Sequence, residues 1–223
     1  MDEIGLDDAY ALKGPEDIKN LYRRWADTYE SDFMVDHGYV YHHKVVDVFV
    51  AHCRIGPQEP ILDVGCGTGV GGVELRRHGP WPIDGLDLSP DMLTRAAEKT
   101  DDSDTPVYRR LVEANVLEPD SLPRSDGGYG GLISIGAFTH GHIGPDAIDN
   151  LVPLVRAGGL LCLGVNEEFF AAAGFEDHLG RMVGEGTITD PVSVQIPMYD
   201  ASVGDHDHVD STALVLVFSS AES

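Results

Sequence analysis

Apolar residues in this chain recur first with a helical period and then, from residue 61 onward, in short runs divided by glycine, proline and acids. Ile18, Leu21, Tyr22, Trp25 and Tyr29 are spaced by three and four, which predicts one helix with an apolar, aromatic face. Pro15-Glu16-Asp17 opens it, with proline at the first turn and acids where the helix dipole favours them. A second helix is predicted from Tyr41 to His52, with Val45, Val46, Phe49 and Val50 on its core side and Gly56-Pro57 after its end.

Beyond that point strands and helices alternate. Residues 61–65, 83–88, 107–114, 132–137 and 160–165 read as strands. Residues 70–78, 90–100, 145–156 and 167–184 read as helices, the last broken near Gly174. Ser89 is the N-cap of the second of these, followed by Pro90 and Asp91. Two further strands, 192–199 and 212–218, have no helix between them and so predict a hairpin. Such alternation predicts a mostly parallel sheet covered by helices on both faces. The expected layout is an arm and helical lid over residues 1–55 and one α/β core over 56–223.

Length and composition agree with one soluble domain: 223 residues, of which 42% are hydrophobic. The strongest apolar run, 213–218, is far too short to span a bilayer, and the Met-Asp-Glu start lacks a signal-peptide pattern, so a cytoplasmic location is expected. Cys53, Cys66 and Cys162 are far apart and form no CxxC pair, which argues against a disulfide framework or a zinc knuckle. A formal net charge of −23 repels nucleic-acid backbones and anionic membranes, so neither is an expected partner. Arg109-Arg110 is the candidate for a local basic patch, but two arginines read more simply as a solvated strand or helix end.

The candidate chemistry begins at Ile61-Leu62-Asp63-Val64-Gly65-Cys66-Gly67-Thr68-Gly69-Val70, a buried strand entering a glycine turn and then a helix. Glycines at alternate positions let backbone approach a ligand that side chains would hold off. Asp63 at the strand end can face a cationic group, which suggests a cofactor carrying an amino group or other cation and not simply a pyrophosphate. Asp87, 24 residues later, ends the second strand, where an acid can accept from both ribose hydroxyls. Gly67-x-Gly69-x-x-Gly72 also satisfies the GxGxxG pattern of dinucleotide enzymes, so an NAD(P)-dependent oxidoreductase is the rival reading.

Three segments together resemble the class I S-adenosylmethionine-dependent methyltransferases: LDVGCGTG at 62–69, GLDLSPDML at 85–93 and GGLISIGAF at 130–138. YRRWADTYESDF at 22–33 and GAFTHGHIGP at 136–145 resemble a small-molecule branch close to the Williams–Beuren-region methyltransferase-like proteins. The resemblance implies a Rossmann-like seven-stranded, mostly parallel sheet sandwiched by helices, with an antiparallel last strand and an N-terminal helical lid. It implies S-adenosyl-L-methionine as cofactor, S-adenosyl-L-homocysteine as product and a small-molecule methyl acceptor at O, N or S. A non-methylating protein that binds the same cofactor is a further alternative. By the resemblance, Asp63 would receive the methionine ammonium, with Gly65 and Gly67 giving backbone access. Asp87 would hold the ribose diol and Leu88 would pack on adenine. Asn115 stands where the family often has Asp; it keeps an acceptor for the adenine amino group, or else closes a turn. Ile135, with Gly136 and Ala137, would line the methyl-transfer corridor.

Methyl transfer needs alignment and sometimes a base, not a nucleophilic side chain. His140 and His142 follow the fourth strand and are the candidate bases, the bland reading being a helix cap or packing. Trp25 and Tyr29 on the lid are the candidates for the cofactor's sulfonium or carboxylate, against plain core packing. The run 204–210, with His206 and His208, reads as a solvated acidic hairpin loop in preference to a metal site, and no metal is expected.

Overall fold

All four residues of β1 (Ile61–Val64) are buried, and the sheet extends from this strand on both sides. The computed structural model describes residues 14–25, 38–200, 202 and 211–222. Parallel to β1 lie β2 (Ile83–Asp87) on one flank and β4 (Tyr129–Phe138) on the other. β3 (Tyr108–Glu113) continues beyond β2, and β5 (Val155–Asn166) beyond β4. The hairpin is β6 (Val192–Pro197) with β7 (Thr212–Ser219). The order is β3-β2-β1-β4-β5-β7-β6, and β7 runs antiparallel to both of its neighbours. This is the Rossmann-like seven-stranded sheet with a reversed last strand that the sequence leads one to expect. The chain builds outward from β1 to β3 and then returns to β4 beside β1. A crevice therefore opens beyond the carboxyl ends of β1 and β4, where strand order reverses.

Two apolar clusters cover the two faces. Leu62, Val64, Leu132 and Leu161 point into one, together with Ile148, Leu151 and Phe175. Ile61, Ile83, Ile133 and Cys162 point into the other, against Val45, Val46 and Phe49 of α2 (Tyr41–His52) and Leu75 of α3 (Val70–His78). Alternate residues of a strand face opposite sides, so each strand serves both cores. α4 (Pro90–Ala97) starts as its sequence dictates: Ser89 Oγ accepts from Met92 N at 3.3 Å and Pro90 takes the first position. An N-cap of this kind is worth about 1 kcal/mol. α1 (Pro15–Trp25) is tied down by Lys19–Glu113 at 2.8 Å and Arg23–Asp91 at 3.6 Å.

The expected helix over 145–156 is much shorter. α5 spans Ala147–Leu151, a 3₁₀ turn takes Val152–Leu154, and Val155 already pairs with Tyr129 as the start of β5. Pro153 brings no N–H to continue an α-helix. Gly158-Gly159, expected as the turn before a strand, instead lies inside β5, with Gly158 at φ 67 and the pairing jumping from Tyr129–Val155 to Gly131–Leu160. The break near Gly174 is real: α6 (Glu167–Ala172) and α7 (Phe175–Gly184) meet at that residue, whose φ is 77.

Arg109 and Arg110 are not simply a solvated strand end. Both donate to Asp84, whose side chain is fully buried, at 2.8–2.9 Å, and Tyr129 Oη donates to the same carboxylate at 2.8 Å. Burial alone would raise the Asp84 pKa, but these hydrogen bonds outweigh it and hold the carboxyl below its ordinary value. Among the described residues no helix is long and apolar enough to cross a membrane, and no group of three or more His, Cys, Asp or Glu could hold a metal ion. The 204–210 run lies outside the described residues.

Candidate active site

A cavity of about 430 Å³ occupies the crevice beyond β1, β2 and β4. Its floor is the glycine turn. Gly65, Gly67 and Gly69 have φ of 67, 54 and 92, a backbone region that favours glycine. A Cβ on Gly65 would stand 2.7 Å from that of Ala137, whereas one on Gly67 would meet nothing within 4 Å. The turn is thus packed against β4 on one side and open to the cavity on the other. α3 begins at its end without a side-chain cap; Val70 and Gly71 line the cavity with their amides, whereas the Gly72 amide serves the Tyr108 hydroxyl.

Asp63 lines the cavity and is 1% exposed. Its Oδ2 accepts from Tyr108 Oη at 2.7 Å. Burial pushes this carboxyl up to about 7; the Tyr108 bond pulls it down and the nearby Asp87 pushes it up further. Tyr108 reaches Asp63 because residue 72 is glycine, where a Cβ would run into the Tyr108 ring and hydroxyl. The third glycine of the apparent GxGxxG pattern therefore makes room for a tyrosine.

Asp87 is gripped by backbone: Oδ2 accepts from Gly67 N and Oδ1 from Ser89 N, each at 2.8 Å. Burial raises its pKa, with those amides acting in the opposite sense. The Leu88 amide also bonds this carboxylate, which lines the cavity. Cys66 is buried and its thiol is pushed well above its ordinary value by burial, first of all, and by Asp87 and Asp63, which disfavours the thiolate.

Leu88, Met92 and Asn115 line the same cavity. Asn115 is occupied within its own turn: Oδ1 accepts from Leu117 N at 3.0 Å and Nδ2 donates to Glu118 at 3.2 Å. Ile135, Gly136 and Ala137 line it from β4, where the pairing jumps from Ser134–Leu163 to Phe138–Val165. The bulge turns these three residues toward the ligand space.

The two histidines separate. The His140 ring meets Phe169 edge-on at 4.9 Å and is not part of the cavity wall, whereas His142 is. His142 Nδ1 lies 3.0 Å from the His140 carbonyl, which can only accept, so Nδ1 carries the proton. Nε2 is then an acceptor, and it receives the Tyr22 hydroxyl at 2.9 Å. Burial lowers the His142 pKa, with the His140 bond opposing it. Tyr22 and Ile18 bring α1 to the cavity. Trp25 ends α1, and Tyr29 lies outside the described residues.

Sequence reasoning grouped Tyr22 with the aromatic stripe but did not pair it with His142, and it missed Tyr108 altogether. The available signal for Tyr108 was Gly72, a glycine inside a helix with no turn to justify it. Tyr39, Tyr41, His42 and Met198 complete the wall.

Comparison with known proteins fits this geometry. Residues 61–159 match a family model described as a methyltransferase domain. Human methyltransferase-like protein 27 is 32% identical over 145 residues, which is 65% of this chain and 56% of that protein. The chain thus spans about half the length of this curated relative. The magnesium protoporphyrin IX methyltransferase of Synechocystis, solved with S-adenosylmethionine bound, superposes with a TM-score of 0.64 at 16% identity, covering 94% of this chain and 99% of that one. A (4+2)-cyclase superposes with a TM-score of 0.65 at 14% identity, covering 95% and 98%. These two likenesses concern the fold.

Proposed function

We propose that this chain is a class I S-adenosylmethionine-dependent methyltransferase and that it transfers a methyl group in line to O, N or S of a small-molecule acceptor. The observation that carries this reading is one cavity in which the open glycine turn, the Asp63 and Asp87 carboxylates and the His142 imidazole converge.

The residues present fit the cofactor. Gly67 leaves open space, Asp87 sets a carboxylate in the cavity wall, and Thr68 Oγ1 in the same turn is buried with no partner among the described residues. Asp63 would take the methionine ammonium, the first amides of α3 its carboxylate, Asp87 the ribose hydroxyls, and Leu88 with Met92 the adenine. Bound S-adenosylmethionine supplies a methyl already activated by a sulfonium. The chain's own residues must orient the acceptor, exclude water and dispose of a proton. Tyr22 and His142 are placed to handle that proton. The Tyr22 oxygen takes it from the acceptor as its own passes to His142 Nε2. Ile135 and Ala137 give an apolar corridor.

The first test is calorimetry with S-adenosylhomocysteine, followed by detection of that product on incubation with S-adenosylmethionine and metabolite extracts. Binding with turnover supports the reading. Binding without any product favours a non-methylating use of the cofactor, which the fold shared with a cyclase makes a specific alternative. Binding of NAD(P) in place of S-adenosylhomocysteine removes the reading.

A further inference from the structure

Asp63 and Asp87 both set a carboxylate in the cavity wall, but their support differs. Backbone amides of Gly67, Leu88 and Ser89 hold Asp87. Among the described residues, Asp63 receives one hydrogen bond, from Tyr108 Oη at 2.7 Å, and no cation acts on it. The titratable groups that face it are Asp87 from the end of β2, Cys66 from the glycine turn and Tyr108 from β3. α3 presents Gly71, where a Cβ would stand 3.5 Å from Asp63 Oδ2 and 2.7 Å from Ile135 of β4, so at that contact neither element brings a charge. His42 and His142 share the cavity wall.

Tyr108 sits in a slot made of glycines. A Cβ on Gly69 would meet its ring at 3.0 Å, one on Gly85 at 2.9 Å, and one on Gly72 would overlap both ring and hydroxyl. The residue is 7% exposed and is not part of the cavity wall, so it reaches Asp63 from outside the ligand space. Its hydroxyl is fixed at both ends. The Gly72 amide, third in α3 and without a carbonyl of its own helix to serve, bonds Tyr108 Oη. Oη therefore accepts from α3 and donates to Asp63. Burial, first of all, and the Asp63 charge push the hydroxyl well above its ordinary value, so it keeps the proton it donates. A donor to a carboxylate favours the ionised form over the neutral one.

From this geometry we infer that Tyr108 is a positioning residue for the cofactor: it touches no ligand itself, and it holds Asp63 ionised and fixed in the cavity wall to receive an ammonium group. The inference rests on the cofactor reading given above and assigns that site a residue behind its wall. The N-terminal end of α3 contributes through the same bond, since the Gly72 amide polarises the hydroxyl toward the carboxylate.

Tyr108→Phe tests this, because it keeps the ring that fills the slot and deletes only the hydroxyl. Carbon-detected NMR follows the Asp63 carboxyl in the ligand-free full chain. Its titration midpoint is expected to rise by about one pH unit or more in the variant, since the lost donor favoured the charged form. Calorimetry with S-adenosylhomocysteine should then show binding about fivefold weaker than the parent near pH 7, with the deficit closing by about pH 9, where Asp63 is ionised in both chains. In the parent, the Tyr108 Cζ shift should follow the Asp63 carboxyl through the same midpoint, a readout that needs no variant. Thermal melting of the variant reports that the fold persists. An unmoved Asp63 midpoint, or a Tyr108 carbon blind to the Asp63 titration, would overturn the inference. A binding deficit of equal size at neutral and alkaline pH would overturn it too, because it marks a merely structural role. A parent chain that binds no S-adenosylhomocysteine is a separate result: it removes the cofactor reading, and the positioning role falls with it.

Discussion

Tyr22 and His142 are 120 positions apart in the chain, yet the hydroxyl of one donates to Nε2 of the other at 2.9 Å. The bond joins α1 to the segment after β4 across the mouth of the cavity. While Nε2 has a lone pair the hydroxyl donates to it. Protonating His142 removes the base and reverses the bond, since the Tyr22 oxygen can then accept from Nε2–H. If the pair handles the acceptor's proton, His142→Ala should lower kcat by about 10²- to 10⁴-fold. Tyr22→Phe should lose less and should raise the His142 pKa, since a donor to Nε2 favours the neutral ring. Titration of the His142 ring by NMR, beside the pH–rate profile, checks both.

The same imidazole makes a stability prediction. Burial places the folded pKa of His142 below the ordinary histidine value, so the unfolded chain takes up a proton before the folded one does. Stability from this group is complete above about pH 6.5 and declines as pH falls through the window below it. Denaturant unfolding of the parent and of His142→Gln between pH 5 and 7 should diverge in that sense.

Asp63 predicts the opposite slope. With its carboxyl at about 7, the folded chain holds a proton that the unfolded chain has already lost. Its contribution is therefore fully present below the ordinary carboxylate value and fades as pH rises toward 7. A cationic ligand group needs the ionised form. S-adenosylhomocysteine should accordingly bind about tenfold tighter at pH 8 than at pH 6, with proton release at the lower pH. Asp63→Asn should flatten this dependence. Calorimetry in buffers of different ionisation heat measures affinity and proton count together.

Asp87→Ala removes a buried acceptor from the amides of Gly67, Leu88 and Ser89. Loss of such a charged hydrogen-bond partner is worth about 1.5–3 kcal/mol, or roughly 10- to 150-fold in cofactor affinity. Asp87→Asn keeps one acceptor and should fall between. Unchanged S-adenosylhomocysteine affinity in the alanine variant would take Asp87 out of the site.

Asp84 sits near the start of β2, away from the cavity, and should separate stability from binding. Removing it takes the shared buried carboxylate from the Tyr129 hydroxyl and from two half-exposed arginines. Losing a charged hydrogen-bond partner is worth about 1.5–3 kcal/mol. Thermal melts of Asp84→Ala should drop by about 3–10 °C, with S-adenosylhomocysteine affinity of the folded fraction unchanged. Because the Asp84 pKa lies below its ordinary value, its stabilisation holds at neutral pH and is lost as pH falls through the acid range.

Local features carried most of what the chain disclosed in advance. The glycine turn, the Ser89 cap, the Tyr41–His52 helix and the alternation of strands and helices all depend on neighbours within a few residues, and there periodicity and turn chemistry are informative. The short α5 was not legible, because an apolar run ending in Pro153 fits a helix as well as it fits a 3₁₀ turn entering β5. Nor were the bulges, which exist only relative to a partner strand. The pairings that give the site its chemistry, Tyr22 with His142, Tyr108 with Asp63 and Asp84 with its two arginines, join residues brought together by topology alone. Residue type hinted at them and spacing did not.

Gly72 and Tyr108 share one volume, and Asp63 is linked to Tyr108 through its hydroxyl. These three positions should therefore drift together in evolution. Where a related sequence carries a larger residue at 72, the aromatic ring at 108 must be gone, and the acid at 63 must find another donor or change the acidity at which it meets its ligand. An alignment of relatives would show such triplets as a covarying unit, even though only one of the three lies within the glycine pattern.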